Sequence, residues 1–459
     1  MFFNREEELK VLKEELERDK TAVLVYGKRK IGKTTLILEA IKRYSNRTLI
    51  YYECIKDTIE SNIKALSSEL KRLKIMPSSF SFEENTFESF FSFLNDTNKE
   101  YAIVIDEYCY LKEREDSKKV DSIFQGIIDN KLDKISLFIS GSQISMMRDL
   151  LEEKNALFGR FNCALELKEF NYLDASIFYK GLSPYEKVAF YSVFGGSPYL
   201  LEQIDSKKSL EENIKSLFLT KTNSAFLFVD SLLLTDMGNK ININKIMSAL
   251  KNDKKHYGEL ENILDKDRTG NLSKMLKPLL EIGLIRKDYP INKINQDKKA
   301  TYQINDNAVR FYYTYIYDKK FLLERMDKED FYDNFIEPTI IEYVSRRFED
   351  ICQSFIWQLA KQKKIKDVYN VGKYYYDDSE NHTNGEFDLA IERKESFDII
   401  EVKYLKNKLR KQDAEKELEQ IKRIKELNVK NIGFISINGF EEDVKLDYLY
   451  DGNDIYFLK

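Results

Sequence analysis

Apolar and polar positions alternate differently along successive stretches of the chain, and each pattern predicts an element. In the first stretch, Leu9, Leu12 and Leu16 recur at helical spacing on an otherwise charged background. A short apolar run over 22–26 then predicts a buried strand, and a glycine follows it directly. A helical pattern resumes a few residues later. The chain therefore begins with helix, strand, loop and helix.

The loop between this strand and helix has a residue spacing that carries chemistry. Four residues separate Gly27 from Gly32, and Lys33 and Thr34 follow, which is a Walker A pattern. In such a loop, backbone amides surround the β-phosphate, the lysine reaches the β- and γ-phosphates, and the hydroxyl binds Mg²⁺. The predicted nucleotide-binding residues of the loop are Gly27, Lys28, Arg29, Lys30, Ile31, Gly32, Lys33, Thr34 and Thr35.

A second apolar run, 101–105, ends in two adjacent acids that complete the nucleotide site. Acids at a strand tip are usually only solvated, but a Walker A motif a domain-sized interval earlier favours a Walker B role. Asp106 is predicted to join Thr34 in holding Mg²⁺, and Glu107 to polarise the attacking water. The acid pair favours hydrolysis over binding alone, with ATP and Mg²⁺ as cofactors.

Two further residues are candidate catalytic groups near a γ-phosphate. Ser142 lies at the polar tip of a strand in "ISLFISGSQIS" and is the candidate sensor, although a strand leading into a helix cap explains the same tip. Arg160 follows a glycine in a loop and is predicted to complete the γ-phosphate site in cis or in trans. A salt-bridged surface arginine is the alternative for Arg160.

The middle of the chain shows three helical patterns followed by a hairpin with a lysine-rich tip, the order of a winged helix-turn-helix. If this region binds DNA, its third helix enters the major groove and its wing contacts phosphates. The residues then facing DNA are Arg268, Asn271, Lys274 and Lys277 of the helix and Lys293, Lys298 and Lys299 of the wing. The alternative is a regulatory or packing module with solvated lysines.

Near the C-terminal end, "GEFDLAIERKESFDIIEVKY" predicts two strands joined by a charged turn. A turn at 394–395 places Asp388 opposite Glu401 on one face. The same register places Glu386 opposite Lys403. Facing carboxylates repel unless a divalent cation lies between them, so Mg²⁺ or Mn²⁺ is the predicted ligand, with the lysine orienting water.

Alternation along the same two strands predicts which side chains are buried on the opposite face. These are Phe387, Leu389 and Ile391 on the first strand and Ile400 and Val402 on the second. An amphipathic helix precedes the strands, with Val344, Phe348, Ile351, Phe355 and Leu359 at helical spacing.

Composition limits the remaining possibilities. The 459 residues suggest about three domains. A net charge of −4 means that DNA contact depends on a local patch. Four scattered cysteines and two histidines exclude a disulfide framework or a zinc module and fit a reducing cytosol. No apolar run reaches the roughly 18 residues of a spanning helix, so we expect a soluble cytoplasmic protein with no membrane partner.

Six segments carry a resemblance to one family: "FFNREEEL", "GKRKIGKTT", "VIDEY", "SGSQISMM", "LFGR" and "GGSPYLL". Their order resembles that in the archaeal-type ATPases, a branch of the AAA+ and STAND-like P-loop NTPases, over the first half of the chain and less tightly beyond it. The resemblance implies a five-stranded parallel sheet with helices on both faces. It also implies a helical lid in which 195–201 packs near the nucleotide.

The C-terminal hairpin looks like the PD-(D/E)xK restriction-endonuclease-like core, which many archaeal-type ATPases carry as a C-terminal domain. The resemblance implies metal ligands at Asp388 and Glu401 with an additional ligand at Glu349, a catalytic lysine at Lys403, and a helper position at Gln420. The alternative is a nuclease-like fold that serves only as a docking or oligomerisation module.

The expected fold class is α/β, with four parts. These are a P-loop ATPase core over 1–180, a helical lid over 181–225, a winged helix over 226–322 and a restriction-endonuclease-like α/β domain over 323–459. The leading hypothesis is an ATPase whose cycle repositions the winged helix and a metal-dependent deoxyribonuclease-like domain on DNA. The competing hypothesis is a STAND-like switch whose later parts bind a protein partner or another copy of the chain.

Overall fold

The computed structural model describes residues 3–113, 119–235, 240–252, 254–265, 272–378, 383–424, 428–441 and 444–457. The chain forms two compact units, Met1–Glu169 and Phe170–Lys459. The first unit contains α1 (Glu6–Leu16), β1 (Thr21–Tyr26), α2 (Lys33–Tyr44), β2 (Thr48–Glu53), α3 (Ile59–Arg72), α4 (Phe87–Asp96), β3 (Tyr101–Asp106), α5 (Val120–Asn130), β4 (Ile135–Gly141), α6 (Ile144–Asp149) and β5 (Cys163–Glu166).

The five strands of the first unit form one parallel sheet in the order β2-β3-β4-β1-β5. Every residue of β1, β3 and β4 is buried, so both faces of the sheet are covered. On one face, Leu12 of α1 and Leu36 of α2 pack in a cluster with Val23 and Val25. This confirms the predicted parallel sheet. It also places β4, with its polar tip, between the two strands that carry the Walker motifs.

The second unit begins with α7 (Tyr172–Ala175), α8 (Pro184–Phe194), α9 (Pro198–Leu201), α10 (Leu210–Leu217) and α11 (Ser224–Thr235). It continues with α12 (Lys240–Leu250), β6 (Lys255–His256), α13 (Tyr257–Asp265), α14 (Leu272–Glu281), β7 (Ile285–Asp288) and β8 (Thr301–Ile304). The remaining elements are α15 (Asn307–Tyr315), α16 (Lys328–Phe335), α17 (Glu337–Lys361), β9 (Asn370–Asp378), β10 (Thr383–Glu392), β11 (Phe397–Lys403), α18 (Lys411–Arg423), β12 (Val429–Ser436), β13 (Tyr448–Asp451) and α19 (Gly452–Tyr456).

The middle of the chain folds as three helices and a small antiparallel sheet in the order β6-β8-β7. On α14 the apolar face is buried at Leu272, Leu276 and Leu279, while Lys274 and Lys277 are exposed. Two other candidate DNA-facing residues, Arg268 and Asn271, lie outside the described residues.

The connection between β7 and β8 does not extend freely from the sheet. It contains two short 3-10 turns, and Ile291 in the first of them is buried in a cluster with Phe387 and Ala390 of β10. Lys299 lies with its ammonium 4.6 Å from the centre of the Tyr375 ring. Of the three predicted wing lysines, Lys298 is exposed, whereas Lys293 and Lys299 are half-buried.

The C-terminal sheet is mixed, in the order β13-β12-β11-β10-β9. The two hairpins β9–β10 and β10–β11 are antiparallel, whereas β11, β12 and β13 pair in parallel. Helix α17 covers one face through residues that include Phe348 and Phe355, in a core shared with Leu389 and Ile400. Helix α18 contributes Ile421 to a cluster on the other face.

Most of the second unit is organised around a single apolar core. Residues from the predicted lid, the three-helix region and the C-terminal sheet all belong to it, for example Phe194, Leu276 and Leu389. These segments therefore pack as one body. In the part of the chain that the structure describes, no helix combines the length and apolarity needed to cross a membrane.

Candidate functional site

The Walker A loop has a backbone conformation that depends on glycine. Gly27 has φ 147° and Gly32 has φ 90°, values in the region that glycine tolerates. A Cβ at Gly27 would lie 2.3 Å from the carbonyl oxygen of Leu167, so this position also lacks space for a side chain. The Lys33 ammonium is buried and donates to the carbonyl oxygens of Gly27 (3.0 Å) and Lys28 (2.9 Å). The predicted strand–loop–helix arrangement is confirmed.

Asp106 ends β3 beside the start of α2 and is only 4% exposed. Its Oδ2 accepts a hydrogen bond from Thr34 Oγ1 at 2.6 Å, so the structure brings together the two residues predicted to bind Mg²⁺. Its Oδ1 accepts from Ser140 Oγ at 2.5 Å. This cluster of hydroxyl and carboxylate oxygens is the donor type that Mg²⁺ prefers.

Tyr51 is a member of this cluster that the sequence did not indicate. Its hydroxyl donates to Asp106 Oδ2 at 3.1 Å from the neighbouring strand β2. Burial, together with the negative charge of Asp106, raises the pKa of Tyr51 above its ordinary value, so the phenol stays a neutral donor. A tyrosine in a β-strand is common, and only the parallel pairing of β2 with β3 points this one at the acid.

Glu107 follows Asp106 with φ 50°, a left-handed conformation that costs backbone energy in a non-glycine residue. Its Oε2 accepts hydrogen bonds from Ser142 Oγ (2.8 Å) and from the Ser142 backbone N–H (3.2 Å). The Cys109 thiol lies 3.4 Å from the same oxygen. Burial and Glu107 raise the pKa of Cys109 to about 12, which keeps it a protonated donor. The candidate sensor thus contacts the candidate water-activating acid.

Two arginines were predicted near this site, and the structure places them differently. Arg29 lies beside the tips of β3 and β4, with Nε 3.3 Å from Ser142 Oγ and Nη2 2.9 Å from the Tyr110 hydroxyl. Arg160 instead forms an ion pair with Asp129 at 3.2 Å. That is the surface arrangement considered as the alternative for Arg160, and its role toward a γ-phosphate stays a prediction.

In the C-terminal sheet, the predicted hairpin register is confirmed. Leu389 pairs with Ile400 and Ala390 with Ile399, and the pairing continues to the turn, where Glu392 pairs with Phe397. The Arg393 N–H donates to the Ser396 carbonyl at 2.8 Å and closes the turn. Because the register of a short hairpin follows from its turn, the sequence sufficed for these pairs.

A β-bulge in β10 overturns part of the predicted alternation. Between Phe387 and Ala390, the pairing of β10 with β9 shifts by one residue. Phe387 therefore packs in the cluster of Ala390 and Ile399, rather than on the face of Leu389 as predicted. An extra residue in one strand moves every preceding side chain to the other face, so the prediction for Phe387 was wrong.

The same bulge separates Glu386 from Lys403, which were predicted to lie opposite each other. The Glu386 carboxylate instead accepts from Lys373 of β9 at 3.0 Å and from Lys254 at 2.5 Å. Although burial raises the pKa of Glu386, these two ammonium groups hold it below its usual value. Glu386 therefore belongs to a separate ion-pair network.

Asp388, Glu401 and Lys403 do come together, as predicted. Asp388 Oδ2 accepts a hydrogen bond from the Val402 N–H at 3.3 Å. Burial and the neighbouring Asp388 raise the pKa of Glu401 to about 8. Lys403 Nζ lies 3.4 Å from Glu401 Oε2 and 2.8 Å from Glu417 Oε1. Glu417, on α18, is a member of this carboxylate cluster that the sequence did not single out.

Glu349 was predicted as an additional metal ligand, and the structure pairs it with Lys373. Burial raises the pKa of Glu349, and Lys373 offsets part of that effect. Among the described residues, no group of three or more His, Cys, Asp or Glu side chains is arranged to hold a metal ion. Asp388 and Glu401 are the pair for which metal binding stays a prediction. The side chain of Gln420 lies outside the described part of the chain.

Comparison with known proteins identifies the nucleotide-binding part. Residues 2–204 match the family model described as an ATPase domain predominantly from Archaea. The first part of this chain is therefore similar to the archaeal ATPase domains. Residues 312–417 match a second family, described as archaeal and bacterial proteins of unknown function. That range includes Asp388, Glu401 and Lys403.

Individual proteins are similar to this chain over much of its length. The chain is 29% identical over 422 residues to an uncharacterized protein of Methanocaldococcus jannaschii, covering 89% of each chain. Its structure is similar to a Walker-type ATPase of Pyrococcus abyssi, with 18% identity, a TM-score of 0.50, and coverage of 68% of this chain and 96% of the other. The ORC2 protein of Aeropyrum pernix gives a TM-score of 0.46 at 12% identity, covering 67% of this chain and 92% of that one. At 18% identity, the similarity to the Pyrococcus abyssi protein shows the fold alone.

Proposed function

We propose that this archaeal-type ATPase hydrolyses ATP with Glu107 as the group that polarises the attacking water. The observation that supports this proposal is a pair of hydrogen bonds at the carboxyl edge of the parallel sheet. The Thr34 hydroxyl donates to Asp106, and the Ser142 hydroxyl donates to Glu107. Ligands of α/β proteins bind at this edge, and a P-loop places the phosphates there.

The chain's own groups divide the chemistry between them. The backbone N–H groups of the Walker A loop and the Lys33 ammonium hold the phosphates. To do so, Lys33 replaces at least one of its hydrogen bonds to the loop carbonyls with a hydrogen bond to a phosphate oxygen. Thr34 and Asp106 fit a magnesium ion, which when bound neutralises charge on the phosphate oxygens. Ser142 orients the Glu107 carboxylate, so that it accepts a hydrogen bond from the nucleophilic water.

Substituting Glu107 by glutamine tests this assignment. We expect Glu107→Gln to lower the steady-state rate of ATP hydrolysis by about 10²-fold or more, because the amide is not a proton acceptor, while ATP binding persists. Lys33→Ala is expected to abolish ATP binding. Glu60→Gln, at an exposed carboxylate of α3, is the matched control. Hydrolysis at the wild-type rate in Glu107→Gln would remove Glu107 from the mechanism.

We further propose that the second unit acts on DNA. The order helix, strand, two helices and two strands over α12–β8 supports a winged helix, and Lys274 and Lys277 are exposed on α14. If these lysines contact phosphates, replacing both by glutamine lowers the slope of log affinity against log salt by about 1 to 2 for duplex DNA. Lys64→Gln on α3 is the control, and an unchanged slope in the double variant would exclude contact through α14.

For the carboxylate cluster we propose metal-dependent cleavage of DNA, with Asp388 and Glu401 as ligands of Mg²⁺ or Mn²⁺ and Lys403 beside the phosphate. The support is the shared position of these three side chains and the raised pKa of Glu401, which an adjacent cation would lower. We expect nicking of plasmid DNA that requires the metal and is lost in Glu401→Gln. Intact plasmid in every combination of metal and ATP would contradict this proposal.

A second candidate function is a nucleotide-dependent switch whose second unit binds a protein partner. It is favoured by the pairing of Lys403 with Glu417 and by the lack, among described residues, of a three-carboxylate metal group. On this view the ATPase activity persists and no DNA is cut. ATP-dependent association, measured by sedimentation of the wild-type chain and of Lys33→Ala with a captured partner, distinguishes the switch from the nuclease.

A further inference from the structure

A cavity of about 250 Å³ in the second unit has strongly basic walls. It lies between α15 and α17, next to the end of α12. The charged side chains that line it are Lys251, Arg310, Arg346, Arg347 and Glu342. Four cations and one carboxylate line the cavity; Lys251 is paired with Asp318 and Arg346 with Glu342, which leaves Arg310 and Arg347 sharing Asp350. It shares no residue with the Walker loop or with the carboxylate cluster of β10 and β11.

Arg310, on α15, is the decisive residue. It is 5% exposed, and neither Nη1 nor Nη2 has a hydrogen-bond partner among the described residues. The carboxylate that pairs with it, Asp350, places Oδ2 4.0 Å from Nη1, beyond hydrogen-bonding distance. A buried guanidinium without acceptors is unfavourable, because its hydration is lost and nothing replaces it.

Asp350 does not neutralise Arg310, because other arginines already share its charge. It accepts a hydrogen bond from Arg286 and lies 3.5 Å from Arg347 Nη1. Although burial raises the pKa of Asp350, Arg286 and Arg347 hold it below its usual value. The Asp350 carboxylate thus interacts mainly with Arg286 and Arg347, and Arg310 lines the cavity.

Other side chains that line the cavity are held in place by hydrogen bonds. At the mouth, half-exposed Arg346 is held by Glu342 Oε1 at 2.6 Å and by the Asn252 carbonyl at 3.1 Å. The Tyr315 and Thr339 hydroxyls, which also line the cavity, lie 3.1 Å apart. Guanidinium groups held in place beside hydroxyls match the tetrahedral oxygens of a phosphate.

We propose that this cavity binds a phosphate group, with Arg310 at its base and Arg346 at its mouth. The cavity has room for a phosphate or diphosphate moiety, and the molecule that bears it extends through the mouth. A free nucleotide or diphosphate and a nucleic-acid backbone share this chemistry. The proposal is independent of the function proposed for the ATP site and the carboxylate cluster.

The test uses the full chain with Lys33→Ala, so that the Walker loop does not contribute phosphate binding. Inorganic pyrophosphate, ATP and a short DNA duplex are each titrated by isothermal calorimetry. We expect saturable binding that weakens at least about tenfold in Arg310→Met and in Arg346→Gln. Arg325→Gln, at an exposed arginine of the same unit, is the matched control and leaves binding unchanged.

The three probes separate the sources of the phosphate. Binding of pyrophosphate and ATP identifies a free phosphorylated ligand, whereas binding of the duplex alone identifies backbone phosphate only where it weakens in Arg310→Met and Arg346→Gln, since α14 is unchanged in both variants. Arg346→Gln keeps the test valid even if Arg310→Met fails to fold, since Arg346 is half exposed. No saturable binding of any probe, or binding that both variants leave unchanged, overturns the proposal.

Thermal unfolding adds a readout that a purely structural arginine would not show. If Arg310 binds an anion, pyrophosphate raises the unfolding temperature of the Lys33→Ala chain. It has no such effect on the chain that also carries Arg310→Met. The ligand-free Arg310→Met chain is then as stable as its parent or more so, because a buried guanidinium whose Nη1 and Nη2 lack hydrogen-bond acceptors has been removed. A large loss of stability without ligand, with an undiminished response to pyrophosphate, would instead indicate a structural role.

Discussion

Replacing Glu401 by glutamine removes a buried carboxyl group whose protonation changes on folding. Burial and the adjacent Asp388 raise the pKa of Glu401 from 4.5 to about 8. Between these values the folded chain holds a proton that the unfolded chain releases, so the free energy of unfolding falls as pH rises. The contribution of protonated Glu401 to the free energy of unfolding is fully present below the pKa of the unfolded state, 4.5. It is lost progressively as the pH rises to the pKa of the folded state, about 8.

The size of the effect follows from the displacement of the pKa. A rise from 4.5 to about 8 corresponds to about 5 kcal/mol. Relaxation of neighbours such as Lys403 and entry of water reduce the cost of a buried charge in real proteins, so we expect an observed loss of at least about 2 kcal/mol. Glutamine has nearly the same shape and does not ionise, so this component of the pH dependence disappears in Glu401→Gln.

Trp357 makes the measurement specific to the second unit. It is the one tryptophan in the sequence, and it lies on α17, which packs on the C-terminal sheet. Urea unfolding followed by its fluorescence, at about pH 5 and about pH 8.5, gives the two free energies of unfolding. The wild-type difference should exceed that of Glu401→Gln. Glu395→Gln, at the exposed turn of the same hairpin, should behave like wild type.

An identical pH dependence in the wild-type chain and in Glu401→Gln would refute this reasoning. It would mean that Glu401 ionises freely in the folded state, and hence that it does not lie buried beside Asp388. A shift of equal size in Glu395→Gln would show that the change comes from overall charge rather than from the buried site.

Other consequences follow from the two sites. At about pH 8, Mg²⁺ should raise the urea midpoint of the wild-type chain and leave Glu401→Gln unchanged if the cluster binds metal, because a ligand of the folded state stabilises it. Gly27→Ala should abolish ATP binding and cost at least about 2 kcal/mol by urea unfolding, whereas Gly159→Ala, with φ 70° and open space, should cost about 1 kcal/mol. Equal costs would show that the crowding at Gly27 is relieved. Thr34→Val should weaken ATP binding in the presence of Mg²⁺ but not in its absence, measured by calorimetry; equal weakening in both conditions would contradict metal binding by the hydroxyl.

The features predictable from sequence are those set by neighbours along the chain. The Walker A loop depends on glycines and a lysine within a few residues, so its conformation and its contact with Asp106 were both anticipated. The register of β10 against β11 depends on one short turn, and the four pairs found follow the predicted register, although the predicted pairs Asp388–Glu401 and Glu386–Lys403 are not among them. Ser142 contacts Glu107 because the parallel strands β3 and β4 are neighbours and both end at the carboxyl edge of the sheet.

Other features required contacts between distant segments. The bulge in β10 appears only in its pairing with β9, and it moved Phe387 and Glu386 away from their predicted partners. Lys373 of β9 forms ion pairs with both Glu386 and Glu349. A strand's own alternation carries no information on where an extra residue will be accommodated.

The parallel sheet, the Walker A loop and the register of the hairpin that carries Asp388 and Glu401 were predictable from residue order, because local spacing sets each of them. The contacts between distant polar groups came from the tertiary structure: Tyr51 meets Asp106, Glu417 meets Lys403, and neither Nη1 nor Nη2 of Arg310 has a hydrogen-bond partner among the described residues. Pairing of buried charges depends on angles and distances between elements far apart in the chain, and residue order alone does not contain them.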